Sequence, residues 1–148
     1  MRKFYEVDEK FRKYPDIKTE IPFKATAGSA GYDFSSKISI AAEPGEIVKI
    51  WTDVKAEMEK DEVLLLFPRS SMGGKFMLAN STGVVDSDYF SNPDNDGNIG
   101  IFLKNISDKK QWIHAGDRVA QGVFFRYLSA ENGNSENKRT GGFGSTSR

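Results

Sequence analysis

Asp86 has the strongest claim to chemistry in this chain. It stands in Asn80-Ser81-Thr82-Gly83-Val84-Val85-Asp86-Ser87-Asp88-Tyr89, directly after two β-branched residues. That pattern predicts a strand end, where a carboxylate is held still and partly desolvated, a setting that suits a general base acting on water. In the same stretch Asn80 carries a donor and an acceptor in one amide, which is what reading a pyrimidine edge requires. Tyr89 offers a flat apolar face that could stack on a sugar. Taken alone, the stretch fits a plain β-hairpin with acidic turn residues better than it fits a site.

Four further stretches carry groups that could cooperate with it. Pro68-Arg69-Ser70-Ser71 places a guanidinium and two hydroxyls at the start of a short predicted helix, a phosphate-binding arrangement or simply a capped helix with its arginine in solvent. Ala30-Gly31-Tyr32-Asp33 reads most simply as a strand-entry turn. Ala115-Gly116-Asp117-Arg118-Val119-Ala120-Gln121 is a turn running into a strand, with Arg118 an exposed strand charge on the plain reading. Arg139-Thr140-Gly141-Gly142-Phe143-Gly144-Ser145-Thr146 is either a loose linker or a lid. A glycine hinge, one aromatic ring and two hydroxyls favour a lid that orders over a nucleotide.

The elements that must hold these residues are strands. Glycine is frequent (14) and clusters between short apolar runs, which favours turns and strands over long helices. Strands are predicted at 38–40, 46–51, 63–67, 100–103 and 119–128, spaced as in a jelly roll. One helix is predicted, starting near Ser70-Ser71 and kept short by Gly73-Gly74. Residues 91–98, SNPDNDGN, predict a surface loop. Residues 129–148, polar and then glycine-rich with Phe143 as the sole large apolar side chain, predict a mobile arm outside the core.

At 148 residues the chain has room for one domain. Lys and Arg (21) balance Asp and Glu (21), so net charge makes no case for a nucleic-acid or membrane partner, and any anion site must be local. The absence of cysteine removes disulfides, thiolate metal sites and cysteine nucleophiles, and His114, the single histidine, cannot build a multi-histidine zinc site. The composition fits a reducing cytoplasm, or a host's cytoplasm for a phage-encoded chain. No apolar run reaches bilayer length and no signal-type stretch follows Met1-Arg2-Lys3-Phe4, so a soluble, non-exported protein is expected.

In this order, over about residues 23–146, the five stretches resemble the five motifs of the trimeric dUTPase family. The resemblance implies an all-β, jelly-roll-like barrel (a β-clip fold) at 1–128, with a C-terminal arm at 129–148 that closes over an active site of a homotrimer. It further implies Mg²⁺-dependent hydrolysis of dUTP to dUMP and pyrophosphate, with Asp86 activating the water that attacks the α-phosphorus. Asn80 and the backbone around Gly83, Val84, Val85 and Gly100 would read uracil, and Tyr89 would lie under the deoxyribose and exclude a 2′-hydroxyl. Arg69, Ser70, Ser71 and Gln121 would hold the phosphate chain. Asp33 would support Mg²⁺ hydration or trimer geometry without touching the metal. Phe143 would stack on uracil, while Arg139, Ser145 and Thr146, with Gly144 beside them, grip the γ-phosphate end.

Two features depart from the family pattern. Residues 90–96 are an insertion after the tyrosine, expected to bulge from the rim as a loop. Lys138 and Arg139 fall where the family has an arginine and a glycine, so Arg139 serves after a one-residue adjustment or Lys138 replaces it. Two other readings remain: a dCTP deaminase-like enzyme of the same fold, and a phage-type dUTPase whose 90–98 loop also engages a regulatory protein.

Overall fold

The computed structural model describes residues 1–143; the expectations for Gly144, Ser145 and Thr146 lie outside the described residues. Among the described residues eleven strands form: β1 (Lys3–Glu6), β2 (Tyr32–Ser35), β3 (Ile40–Ala42), β4 (Ile47–Trp51), β5 (Val54–Glu57), β6 (Glu62–Phe67), β7 (Phe76–Leu78), β8 (Gly83–Asp86), β9 (Gly100–Asn105), β10 (Gln111–Ile113) and β11 (Arg118–Arg126). They pair antiparallel in a four-stranded sheet, β2-β11-β6-β8, a three-stranded sheet, β4-β9-β7, and two ribbons, β1-β5 and β10-β3.

Side-chain alternation decides which face of each strand is buried. In β6 the side chains of Leu64 and Leu66 point inward, and in β4 those of Val48 and Ile50 do the same. They meet Phe34, Leu78, Ile101, Leu103 and Val119 in one continuous core. This is the jelly-roll-like all-β architecture expected from the spacing of the apolar runs. The strand expected at 38–40 forms at Ile40–Ala42, and β1, β2, β5, β7 and β10 were not foreseen. Each is only three or four residues long, so it owes its strand identity to the partner it pairs with rather than to its own pattern.

The helix expected at Ser70-Ser71 is a single 3-10 turn, Ser70–Met72, and similar turns form at Glu9–Phe11 and Ser87–Tyr89. Gly73 and Gly74, the latter at φ 77°, stop the turn before an α-helix can develop. No helix dipole adds to anion binding at Arg69 to Ser71, because three residues carry almost no macrodipole. Among the described residues no helix is long and apolar enough to cross a membrane.

The 91–98 loop also corrects an expectation. It is only partly a surface loop: Ser91, Pro93 and Asp94 are exposed, but Asn92, Asp96 and Asn98 are buried. Turn-forming Asn and Asp side chains are here the internal bonding of the loop. Asn92 Oδ1 accepts from the amides of Asp94 (3.0 Å) and Asn95 (3.1 Å), and its Nδ2 donates to Tyr89 O at 2.8 Å. Asp96 is paired with Lys55 Nζ at 2.9 Å and accepts from the amide of Asp8 at 2.8 Å. Polar composition signals solvent only when the polar groups lack partners inside the fold.

Asn98 leads into a second polar knot. Asp53 is wholly buried at φ 57°, and its carboxylate accepts from Lys37 Nζ (2.9 Å), Asn98 Nδ2 (2.8 Å) and the amides of Lys13 (2.8 Å) and Tyr14 (3.0 Å). Burial pushes the Asp53 pKa upward, but Lys37 and the other donors outweigh it and hold the carboxyl below its ordinary value of 3.8. A depressed folded pKa contributes stability that is fully present above the unfolded value and is lost as pH falls through the folded one. Asp53→Ala should therefore destabilise the protein by about 3–5 kcal/mol at neutral pH, because it strands Lys37 as an unpaired buried cation. The difference from the parent protein should shrink in acid below the ordinary carboxylate range. Urea denaturation at fixed protein concentration across pH checks both statements; a cost under 1 kcal/mol at neutral pH would contradict the role assigned to the pair.

Candidate active site

Asp86 ends β8, opposite Val63 of β6, as its sequence neighbours predict. Gly83 and Val85 of that strand face inward, while Val84 and Asp86 project from the other face. Gly83 must lack a side chain, because a Cβ there would stand 2.9 Å from Leu66 Cβ. The Asp86 side chain is 55% exposed on its own chain, so its firm placement comes from the strand rather than from desolvation.

After Asp86 the Ser87–Tyr89 turn carries Tyr89 inward to 6% exposure. Its hydroxyl donates to Asn98 O at 2.6 Å and accepts from Asn95 Nδ2 at 2.8 Å. Burial pushes the phenol pKa up to about 12, so it stays protonated and keeps donating at neutral pH. The ring is thereby locked at the floor of a depression lined by Val84, Val85, Asp86, Arg139, Gly142 and Phe143. An adjoining depression holds Asn80, Gly83, Gly100, Phe102 and, again, Val84, Val85 and Phe143. Thus Asn80, Gly83, Val84, Val85, Asp86, Tyr89, Gly100, Arg139 and Phe143, picked out along the sequence, come together.

The arm residues reach this place on their own chain. Phe143 packs against Trp51, Tyr89 and Phe102, with ring centroids 5.5, 5.9 and 5.1 Å away. Arg139 Nη2 pairs with Asp86 Oδ2 at 2.7 Å, and Nε pairs with Asp88 Oδ1 at 2.8 Å. Its guanidinium carbon lies 5.7 Å from the Tyr89 ring centre. Arg139, rather than its neighbour Lys138, is the arm cation placed at the carboxylates.

Arg69, Ser71 and Arg118 line a different depression, which shares no lining residue with the two around Asp86. Its organiser is Asp33, 6% exposed, whose two oxygens accept from Arg69 Nε (3.0 Å) and Arg118 Nη1 (3.3 Å). Gln121 Nε2 donates to Pro68 O at 3.1 Å, and Gln121 Oε1 lies 2.5 Å from where a Cβ on Gly31 would stand. Three of the sequence stretches are thus tied together by one carboxylate and one amide. Ser70 and Ser71 are exposed beside them. The result is a rigid cationic wall with free hydroxyls, suited to an anion.

Asp33 spends both oxygens on arginines, and among the described residues no group of three or more His, Asp or Glu could hold a metal. A metal that arrives on phosphate oxygens and needs few protein ligands fits this donor set; a protein-built cage does not.

The comparisons with known proteins decide the family. A model described as dUTPase matches residues 18–147. The chain belongs to the dUTPase family. Among relatives of the family, the deoxyuridine 5′-triphosphate nucleotidohydrolase of Lactococcus lactis is 44% identical over 138 residues, covering 90% of this chain and 92% of that protein. The corresponding protein of Desulfitobacterium hafniense is 34% identical over 141 residues, covering 88% and 89%. The crystal structure of the dUTPase from Streptococcus mutans superposes with a TM-score of 0.74 at 38% identity, covering 87% of this chain and 98% of that one. The dUTPase from phage phi11 of S. aureus, at 23% identity and a TM-score of 0.71, shares the fold.

Reasoning from sequence missed several residues at this dUTPase-type site. Trp51 and Phe102 supply the aromatic walls around Phe143, and only the pairing of their strands, which sets Trp51 opposite Gly100, brings them there. Arg118, read as an exposed strand charge, is the second partner of Asp33. Asp88 shares Arg139 with Asp86, and Asn95 fixes Tyr89; neither has a local sequence signature.

Proposed function

We propose that the protein hydrolyses dUTP to dUMP and pyrophosphate, with Asp86 taking the proton of a water as its oxygen bonds to the α-phosphorus and the bond to the pyrophosphate oxygen breaks. The observation that carries this reading is the placement of Asp86 at the end of β8, projecting from the same face as Val84 into the depression floored by Tyr89. Asn80, with the backbone of Gly83 to Val85 and Gly100, lines the adjoining space in which a uracil edge would be read. A cytosine there would leave buried polar groups unpaired, and that loss discriminates strongly. Tyr89, immobilised by Asn95 and Asn98, would meet the sugar face.

The phosphate wall of Arg69, Ser70, Ser71 and Gln121 stands apart from Asp86 on the chain, which supports a site completed by a second copy and hence the homotrimer. Mg²⁺ bound to the triphosphate would supply charge neutralisation there, with Asp33 acting only through water. Arg139 faces both carboxylates in this structure; the far more anionic triphosphate would draw its guanidinium away and release Asp86 to accept a proton.

Incubation with dUTP, dCTP, dTTP and UTP in Mg²⁺, following pyrophosphate release, tests the assignment. Preferential turnover of dUTP is expected, and equal turnover of all four would refute it. Ammonia release from dCTP would instead favour the deaminase-like reading. Light scattering should return the mass of three chains; a monomer would leave the phosphate wall without Asp86 beside it.

A further inference from the structure

The 91–98 loop touches the arm as well as the barrel. Asp94 Oδ2 accepts from the amide of Gly142 at 3.1 Å. Asn95 packs so closely on Gly142 that a Cβ there would stand 2.6 Å from Asn95 Nδ2. Asn95 cannot swing aside cheaply: its Nδ2 donates to Tyr89 Oη, while its Oδ1 accepts from Gly97 N (3.0 Å) and Asn92 Nδ2 (2.7 Å). Gly142 is therefore a contact glycine as much as a hinge.

The loop is rigid enough to serve as a seat, because the N-terminal segment braces it. Asp8 N donates to Asp96, Asn98 Nδ2 reaches Phe11 O at 3.4 Å, and the rings of Tyr5 and Phe90 lie 5.8 Å apart. Those braces come from residues before 18, where the family match begins.

We propose that Asp94 and Asn95 are positioning residues that latch the C-terminal arm over the active site, so that the inserted loop and the N-terminal segment set how readily the arm closes. The inference rests on the proposed dUTP hydrolysis for its kinetic readout, but the latch itself is a physical contact that can be read without turnover. Asp94 gives a clean test: its side chain is exposed, the one hydrogen bond of that side chain among the described residues is the one to Gly142, and it contributes nothing to the core.

Asp94→Ala removes a charge-assisted acceptor and should lower kcat/KM for dUTP about ten-fold. Gly142→Ala should have a similar effect by steric means, and the double variant should be no worse than either alone, since both break one contact. Asp94→Asn, which keeps a carbonyl acceptor, should recover most of the loss. Independently of activity, the Gly142 amide should be protected from hydrogen exchange in the parent protein and lose that protection in Asp94→Ala, with the barrel amides unchanged. Parent-like kcat/KM and protection in Asp94→Ala would overturn the latch, as would effects of Asp94→Ala and Gly142→Ala that multiply. Failure of the parent protein to hydrolyse dUTP would instead overturn the proposed function and leave the exchange result to judge the latch.

Discussion

Replacing Asp86 by Asn should leave dUTP binding nearly intact while turnover falls about 1,000-fold or more, the signature of losing a base and its water rather than a binding contact. The amide has the same shape and can still accept from Arg139, so the site should keep its form. What it loses is the ability to take a proton. Pyrophosphate release gives the rate, and calorimetric titration with a non-hydrolysable dUTP analogue gives the affinity. The neighbouring Asp88 is equally exposed and shares the same arginine, but it belongs to the Ser87–Tyr89 turn and does not line the depression. Near-parental turnover in Asp86→Asn, with loss in Asp88→Asn, would move the base to that second carboxylate.

Ending the chain after Lys138 should leave a folded protein of unchanged assembly with activity lowered about 100-fold or more, because positioning of the reacting groups is worth that much. Removing the arm takes away the Arg139 pairs with Asp86 and Asp88 and the contacts of Phe143 with Trp51, Tyr89 and Phe102. Among the described residues, none of those removed belongs to the hydrophobic core. Circular dichroism and sizing report the fold, and kcat/KM reports the arm. An unfolded product would show that the arm stabilises the barrel. The size of the fall should exceed that in Asp94→Ala, since the latch is one of several arm contacts.

The residue chemistry was legible where it depends on local pattern. Val84-Val85 before Asp86 is a strand signal, and the strand ends at Asp86. The longer apolar runs at 46–51, 63–67 and 119–128 became β4, β6 and β11, since strands of five or more residues carry their own alternation. Short strands such as β7 and β10 lack that, and their pairing comes from across the sheet. The serine pair after Arg69 promised a helix and produced one 3-10 turn, because Gly73-Gly74 follow too soon.

What the sequence by itself determined is the set of candidate groups and their order: a strand-end carboxylate at Asp86, a hydroxyl-and-guanidinium wall at Arg69 to Ser71, an amide at Asn80, an aromatic arm at Phe143. These follow from side-chain chemistry and short-range backbone preference, which are properties of a few consecutive residues. Only the tertiary structure decided that Asp33 is the buried link between Arg69 and Arg118, that Arg139 lies on two carboxylates, and that the SNPDNDGN segment is built into the fold. Each of these depends on partners tens of residues away. Whether a polar side chain is solvated, paired or turned into a seat for another segment is decided by what the fold brings beside it.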